Sequence, residues 1–124
     1  MNKAEICLWF RNNDAADAAR FYAETFPDSH VGKTLRAATD YPASKAGDAL
    51  VVHFTVLGLP CFGLNGGDMG VAPNPSVSFS VTTEDQAETD RYWNALIADG
   101  GAAGQCGWCT DRWGFSWQIT PRVL

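Results

Sequence analysis

Several short segments of the chain alternate between large apolar and polar residues, which is the pattern of β-strands that bury one face. The alternation is clearest in Ile6–Phe10 and Phe115–Thr120, and Ala49–Leu57 is a third strongly strand-like segment. Further strands are predicted at Ser29–Ala37, Cys61–Asn65, Ser76–Val81 and Gln105–Thr110. Aromatic residues on both sides of the turn Asp111–Gly114 predict that the last two strands form a hairpin.

Two segments show helical rather than alternating spacing. Ala15–Phe26 carries its aromatic residues at helical spacing, follows the N-cap candidate Asp14 and ends before Pro27. Glu84–Asp99 is the second predicted helix, and it lies between two predicted strands.

The second half of the sequence repeats the first at an offset of 71 positions. This offset aligns the apolar residues of the first strand with Val77, Phe79 and Val81. It also aligns identical residues, which are Asp14 with Asp85, Ala16 with Ala87, Arg20 with Arg91, and Asp28 with Asp99. A gap-free match from strand through helix predicts two copies of one βαβββ module.

A stretch rich in glycine and proline, Gly66–Pro75, separates the two copies. At 124 residues the chain is long enough for one hydrophobic core but not for two independent domains. We therefore predict a single α+β domain with about eight strands. Its modules cover residues 1–66 and 76–124, joined by a linker over residues 67–75.

Four motifs in this arrangement resemble one protein family. They are Leu64-Asn65-Gly66-Gly67, Asp90-Arg91-Tyr92-Trp93, Cys106-Gly107-Trp108 and Asp111–Gln118. Together with the repeat, they resemble the vicinal oxygen chelate superfamily (glyoxalase, bleomycin resistance protein, extradiol dioxygenase). The motifs are similar to its PhnB-like branch, which is labelled 3-demethylubiquinone-9 3-methyltransferase-like. The resemblance implies paired modules whose strands curve around a cavity, usually within a homodimer.

Metal-using members of the superfamily place His or Glu ligands on the first and last strands of each module. The resemblance puts those positions at Glu5, Gly63, Ser76 and Gln118. Only Glu5 is a good ligand, because glycine has no side chain and Ser and Gln bind zinc or iron weakly. A register shift of two residues would bring in Cys7 or Asn65 instead. We expect neither a bound transition metal nor another cofactor.

The strand faces opposite the predicted core carry small, neutral, hydrogen-bonding side chains. A solvated sheet face usually carries Lys, Glu and Arg, so this composition favours a partly enclosed pocket for a small organic molecule. The predicted pocket residues are Glu5, Cys7, Trp9, His53, Cys61, Asn65, Ser76, Ser78, Trp108 and Gln118. For His53 the preferred interpretation is a hydrogen-bonded, partly buried histidine rather than a pocket acid or base, because the sequence names no partner for it.

The two C-terminal cysteines, Cys106 and Cys109, have the spacing of a redox or zinc motif. A redox pair of this kind opens a helix, whereas this pair lies in or beside a strand, where residues three apart face opposite ways. A structural zinc site would require a second ligand pair, and Cys7 and Cys61 are isolated. Ordinary packing cysteines are the expectation.

The net charge of −5 and the absence of a basic run argue against nucleic acid as a partner. No apolar run reaches membrane-spanning length and no signal peptide opens the chain, so we expect a cytoplasmic protein with reduced thiols. Large aromatic residues such as Trp108 and Trp113 are numerous for so small a chain. Burying them requires more surface than one monomer offers, which favours a homodimer.

Two functions of different class fit these features. The favoured hypothesis is a metal-free module that binds a small organic molecule, and the alternative is an enzyme. An enzyme would use metal-assisted chemistry or acid–base chemistry, with Glu5 and His53 as the titratable candidates. Convergence of Glu5 and His53 on one point of a cavity would favour the enzyme. The methyltransferase of the family label is a further alternative, but the chain lacks the glycine-rich strand-to-helix turn of a nucleotide-type cofactor site.

Overall fold

A computed structural model describes residues 2–42 and 44–122, which form two compact units, Met1–Val71 and Ala72–Leu124. Each unit contains a four-stranded mixed sheet and one α-helix. The elements of the first unit are β1 (Ile6–Phe10), α1 (Ala15–Thr25), β2 (His30–Arg36), β3 (Ala49–Val56) and β4 (Leu59–Asn65). Those of the second unit are β5 (Ser78–Thr83), α2 (Gln86–Ile97), β6 (Ala102–Ala103), β7 (Trp108–Thr110) and β8 (Ser116–Pro121), with a 3₁₀ turn at Ala98–Gly100.

The two sheets have the same topology. Their strand orders are β1-β4-β3-β2 and β5-β8-β7-β6. In each sheet the first and last strands of the unit pair in parallel, and the remaining neighbours pair antiparallel. Asp28 and Asp99, one of the identical pairs of the repeat, both have left-handed backbone conformations, with φ of 50° and 55°. The predicted α+β fold of two βαβββ units is confirmed.

The core of the first unit lies between α1 and one face of its sheet. Small residues line the helix, since Ala15, Ala18 and Ala19 are fully buried. Their size lets the helix approach the sheet closely, and a Cβ on Gly63 would lie only 2.8 Å from the Cβ of Ala15. Tyr22 fills the remaining space, with its ring centroid 5.7 Å from that of Phe54.

The core of the second unit is built around Trp117, which is fully buried. Its ring stacks on Phe79 with 4.3 Å between the centroids. Its indole Nε1 donates to Oδ2 of the buried Asp111 at 3.0 Å. From α2, Tyr92 and Leu96 complete this core.

The predicted elements differ from the structure mainly at strand starts. β5 begins at Ser78 rather than Ser76, so Val77, which was predicted to lie within the strand, is 70% exposed in the preceding turn. β7 begins at Trp108, because Cys106 and Gly107 have positive φ and form a turn. The short strand β6 carries no strand signal, since it consists of two alanines.

The assignment of faces in β4 is reversed relative to the prediction. Cys61 and Asn65 are buried on the side of the sheet that α1 covers, whereas Phe62 and Leu64 are only half-buried. Alternation alone does not say which set of side chains faces the helix. In β4 the smaller side chains, Cys61 and Asn65 with Gly63 between them, face the helix, because a larger residue in place of Gly63 would collide with it.

No helix in the described part of the chain is long and apolar enough to cross a membrane.

Candidate functional site

The first sheet has one face covered by α1 and one face turned away from it, which we call the open face. Strand register places side chains of three adjacent strands side by side on the open face. They are Cys7 and Trp9 from β1, Phe62 and Leu64 from β4, and Val51 and His53 from β3. Apart from His53 and Cys7, this surface is apolar.

Glu5 and His53 meet at one end of the open face. Oε2 of Glu5 lies 3.3 Å from Nδ1 of His53. Both side chains are partly exposed, the histidine by 33% and the glutamate by 25%. His53 is the only ion-pair partner of Glu5 within residues 2–42 and 44–122. The structure therefore supplies the partner that the sequence does not name for either residue.

Phe62 and β2 flank the side chain of His53. The Phe62 ring lies beside the imidazole, with 5.6 Å between centroids and an angle of 51° between planes. On the other side, β2 carries a bulge in which Gly32 and Lys33 oppose His53. A Cβ on Gly32 would stand 3.2 Å from the backbone oxygen of His53 and 3.4 Å from its Cβ, so β2 packs closely against the histidine at this point.

Trp9, on the open face, contacts Gly66 and Gly67 at the start of the glycine- and proline-rich stretch Gly66–Pro75. Its indole Nε1 donates to the carbonyl oxygen of Gly67 at 2.9 Å. The six-membered part of the ring lies against Gly66, where a Cβ would come within 2.4 Å of the indole. Gly66 also donates from its backbone nitrogen to the Phe10 oxygen at 3.2 Å. Gly66 and Gly67 are thus hydrogen-bonded to β1.

Cys7 lies next to Phe62 in the register of β1 and β4 and is exposed. Partial burial nevertheless raises the pKa of the Cys7 thiol. A thiol with a raised pKa is a poor nucleophile near neutral pH. Cys7 therefore contributes surface to the open face rather than a reactive thiolate.

Two residues predicted for the pocket have structural roles on the helix side instead. Asn65 accepts from the backbone nitrogen of Ala15 at 3.1 Å through Oδ1 and donates to the Ala49 oxygen at 2.9 Å through Nδ2. Cys61 is 1% exposed, and burial, with a smaller contribution from Glu5, raises the pKa of its thiol to about 11. Neither side chain lies on the open face.

The second sheet has a more polar face turned away from α2. Trp108, Gln118 and Ser80 lie side by side across β7, β8 and β5. Nε2 of Gln118 donates to Oγ of Ser78 at 2.9 Å. Ser76 is not on this face, because it lies in an exposed turn and its backbone nitrogen donates to the Asn74 side chain.

The residues at the family's metal positions do not fit a transition metal. The registers of the two sheets make Leu64, not Gly63, the counterpart of Gln118. Gly63 faces α1, Ser76 precedes its strand, and the Gln118 amide is engaged by Ser78. Within the described residues no group of three or more His, Cys, Asp or Glu side chains could hold a metal ion. Glu5 alone remains a suitable donor.

The C-terminal cysteines are unlike a redox pair. Cys106 is exposed in a turn, whereas Cys109 is buried in β7. Burial raises the pKa of Cys109 to about 11, with a further contribution from Asp111. A redox pair needs a thiolate near neutral pH, which this environment disfavours.

Sequence analysis missed two residues that shape the open face. Phe62 is not among the predicted pocket residues. The signal that could have placed it on the open face was Gly63, whose lack of a side chain suits the helix side of β4. Gly32 gives no signal in the sequence, because the bulge that places it beside His53 depends on the pairing of β2 with β3.

Comparisons with known proteins agree with this architecture. Residues 2–120 match the family described as 3-demethylubiquinone-9 3-methyltransferase. The PhnB protein from Bacillus cereus is 25% identical with a TM-score of 0.79, over 97% of this chain and 99% of that one. A comparison with curated proteins finds no match.

Two more distant structures share the fold. Protein PA1353 from Pseudomonas aeruginosa is 19% identical with a TM-score of 0.71, over 98% of both chains. The fosfomycin resistance protein FosX from Listeria monocytogenes is 12% identical with a TM-score of 0.59, over 97% of this chain and 93% of that one. With nearly its whole length matched, the chain belongs to the 3-demethylubiquinone-9 3-methyltransferase family, the PhnB-like branch of the vicinal oxygen chelate superfamily.

Proposed function

We propose that the protein binds a small, uncharged organic molecule on the open face of its first sheet, without a transition metal. The observation that carries this proposal is the composition of that face, where an apolar surface has a single polar pair, Glu5 and His53, at one end. Ligand sites are typically lined by apolar and aromatic side chains with a few convergent polar groups. The apolar and aromatic lining is formed by Trp9, Phe62 and Leu64, and the polar groups are Glu5 and His53.

An uncharged ligand fits the electrostatics better than an anion. Glu5 places a carboxylate at the site, and the whole chain carries a net charge of −5. Both disfavour the approach of a carboxylate or phosphate group. The donor sets at the family's metal positions support a metal-free site, and elemental analysis that finds stoichiometric zinc or iron in the purified protein would contradict this part of the proposal.

An enzymatic function is the second candidate, and the contact between Glu5 and His53 favours it. These were the two titratable residues expected to converge if the protein is a catalyst, and their side chains lie 3.3 Å apart. A methyltransferase receives no such support, because the described part of the chain has no doubly wound parallel sheet or glycine-rich strand-to-helix turn.

We further propose a homodimer in the cytoplasm. Large apolar side chains that remain exposed support the dimer, among them Met69 at 65% and Val77 at 70%. Trp108 and Trp113, on which the expectation was first based, are half-buried and support it less. The four free thiols suit a reducing compartment. Light scattering at micromolar concentration that gives the monomer mass of 13.4 kDa would exclude the dimer.

The binding proposal is tested by thermal denaturation in the presence of a library of uncharged aromatic and aliphatic metabolites. Compounds that stabilise the wild type are measured again with Phe62→Ala, which removes the largest apolar contact next to His53. Leu59→Ala is the matched control, because Leu59 is a 45% exposed apolar residue of the same strand with the opposite orientation. Stabilisation lost in Phe62→Ala and kept in Leu59→Ala is expected. Equal stabilisation of both variants and the wild type would place the ligand elsewhere.

A further inference from the structure

We propose that the open face binds its ligand through an unbranched alkyl chain of about ten to twelve carbon atoms, which lies across all four strands of the first sheet. The proposal rests on the binding function proposed above, because the chain would occupy part of the same face. It adds the chemical class of the ligand and the direction in which the ligand lies.

Four apolar side chains form one continuous row across the open face. The strand registers pair Trp9 of β1 with Leu64 of β4, and Leu64 with Val51 of β3. Val51 in turn pairs with Leu35 of the edge strand β2. Side chains of directly paired residues lie on the same face of a sheet, so these four residues lie side by side and are called the apolar row.

The apolar row remains accessible to solvent. Leu35 is 44% exposed, and the other three residues of the row are half-buried. The helix α1 covers the opposite face of the sheet, where Val52 and Phe54 of β3 are buried. Transfer of apolar surface out of water is favourable, so a ligand that covers the row is stabilised by the surface it buries.

The shape of the row favours a narrow chain over a compact ligand. Phe62 and His53 precede Leu64 and follow Val51 by two positions on the same face, and their ring centroids lie 5.6 Å apart. These two rings border one side of the row. On its other side the corresponding residue of β3 is Ala49, whose side chain is a single methyl group. A linear chain can contact all four residues of the row at once, whereas a compact ligand cannot.

The length of the row sets the length of the chain. Three spacings of about 4.8 Å between strands make the row about 14 Å long, which an extended chain of about ten to twelve carbon atoms spans. At the β1 end the Trp9 indole is held in place, because its Nε1 donates to the Gly67 oxygen at 2.9 Å and its ring lies against Gly66. This end has the largest apolar surface of the row and suits the methyl end of the chain.

The polar end of the ligand then lies at β2. Within residues 2–42 and 44–122 this strand pairs only with β3, so a head group can pass Leu35 into water. An uncharged head group agrees with the net negative charge of the chain. Lys33 and Arg36 are nevertheless exposed on the same strand, so the test also includes a carboxylate with the same alkyl chain.

The test uses the alcohols 1-hexanol, 1-octanol and 1-decanol, whose dissociation constants are measured by titration calorimetry. Each added methylene is expected to tighten binding about twofold, because a methylene lying on the row loses about half of its contact with water. The compact alcohol 1-adamantanol, which also has ten carbon atoms, is the control ligand. It is expected to bind about tenfold more weakly than 1-decanol, because it covers only part of the row.

Leu35→Ala tests the direction of the chain. It is expected to weaken the binding of 1-decanol about fivefold and to leave 1-hexanol unchanged, because a chain of six carbons that starts at Trp9 does not reach β2. Val31→Ala is the matched control, since Val31 is 42% exposed on the same strand but pairs with Phe54 on the helix side. It is expected to leave both dissociation constants unchanged. Circular dichroism checks the fold, and Leu35→Thr is the second variant because threonine favours strands.

Several results would overturn the proposal. An equal effect of Leu35→Ala on 1-hexanol and 1-decanol, or none on either, would show that the chain does not lie along the row. Binding of 1-adamantanol as tight as that of 1-decanol would exclude a linear ligand, and tighter binding of decanoate would exclude the uncharged head group. A smaller mass of Leu35→Ala in light scattering would assign the row to a contact between two copies of the protein.

Failure of this proposal is distinguishable from failure of the binding function. If no alcohol binds, the alkyl class is excluded. A metabolite that stabilises the wild type but not Phe62→Ala would still support binding on the open face in that case. If the alcohols bind as expected but no ligand depends on Phe62, the apolar row is the binding surface and the part of the face around His53 is not.

Discussion

Oδ1 of Asn65, the last residue of β4, lies 3.1 Å from the backbone nitrogen of Ala15, the first residue of α1. The first N–H groups of a helix have no partner within it, and a side chain at the N-cap usually accepts from one of them. Asp14, the N-cap of α1, makes no such hydrogen bond. Asn65 takes over this role from a strand that is distant in sequence. In the second unit the N-cap Asp85 accepts from Glu88 in the ordinary way.

Asn65→Ala is expected to destabilise the protein by about 2 kcal/mol, because it leaves the Ala15 N–H and the Ala49 carbonyl without their partner. Asn65→Asp keeps the acceptor for Ala15 but turns a buried carboxylate oxygen towards the Ala49 carbonyl oxygen, so it is also expected to destabilise the protein. Urea denaturation followed by circular dichroism measures both. A free energy of unfolding for Asn65→Ala equal to that of the wild type would show that the helix start does not need this bond.

Asp111 is expected to be sensitive even to replacement by asparagine. Its Oδ1 accepts from the backbone nitrogens of Trp113 and Phe115, and its Oδ2 accepts from the Trp117 indole. In Asp111→Asn an NH₂ group must face one of these donors, which is expected to cost about 2 kcal/mol. Urea denaturation checks this loss. Adding Trp117→Phe removes one donor, so the asparagine is expected to cost less in that background; additive effects of the two changes would contradict the proposed conflict.

Gly66→Ala is expected to displace the Trp9 indole, because the new Cβ would come within 2.4 Å of it. Displacement breaks the hydrogen bond from Nε1 to Gly67 and exposes the ring. The expected result is a red shift of the Trp9 fluorescence, taken as the difference between spectra recorded with and without Trp9→Phe. The same difference spectrum in the wild type and Gly66→Ala would show that the connector moves instead of the ring.

The buried cysteines are expected to make the protein less stable at alkaline pH. Burial raises the pKa of Cys61 and Cys109 from an ordinary 9.0 to about 11. Their contribution to stability is complete below pH 9, where both states hold the proton. Between pH 9 and pH 11 only the unfolded state releases it, so the contribution is lost as the pH rises.

Urea midpoints measured from pH 8 to pH 10.5 test this loss. Cys61→Ala is expected to decline less steeply with pH than the wild type, although it is less stable at pH 8 because of the cavity it creates. Cys106→Ala is the matched control, since Cys106 is exposed, and it is expected to follow the wild type. Parallel pH profiles for all three proteins would contradict the raised pKa of Cys61.

Much of the fold could be predicted because the repeat and the alternation can be recognised in the sequence without knowing which strands pair. The offset of 71 positions places Ala15–Thr25 on residues 86–96, within one residue of the observed α2. Strand starts were less predictable, because Ser76 and Val77 alternate like a strand but lie in a turn. Turn formation there depends on Asn74, whose side chain binds the backbone of Ser76.

The site was only partly predictable, because it depends on pairing between strands. Glu5 and His53 were both candidates, but their contact requires β4 to bring β1 and β3 onto one face. Cys61 and Asn65 were placed on the wrong face, because the pattern of β4 is alternating whichever side the helix covers. The size of Gly63 decided between the two faces, through a helix contact that no single strand reveals.

In each unit the strand that is synthesised last lies inside the sheet, with β4 between β1 and β3 and β8 between β5 and β7. Within the described residues, β1 and β5 pair with no other strand, so each remains an unpaired edge while the ribosome makes the rest of its unit. Contacts between residues that are far apart in the sequence form slowly, and until they form the apolar strands are exposed to aggregation. In a nascent chain that stalls before Leu59, β2 and β3 are complete and can pair, but β1 still lacks β4, so we expect its apolar side chains to stay exposed to aggregation.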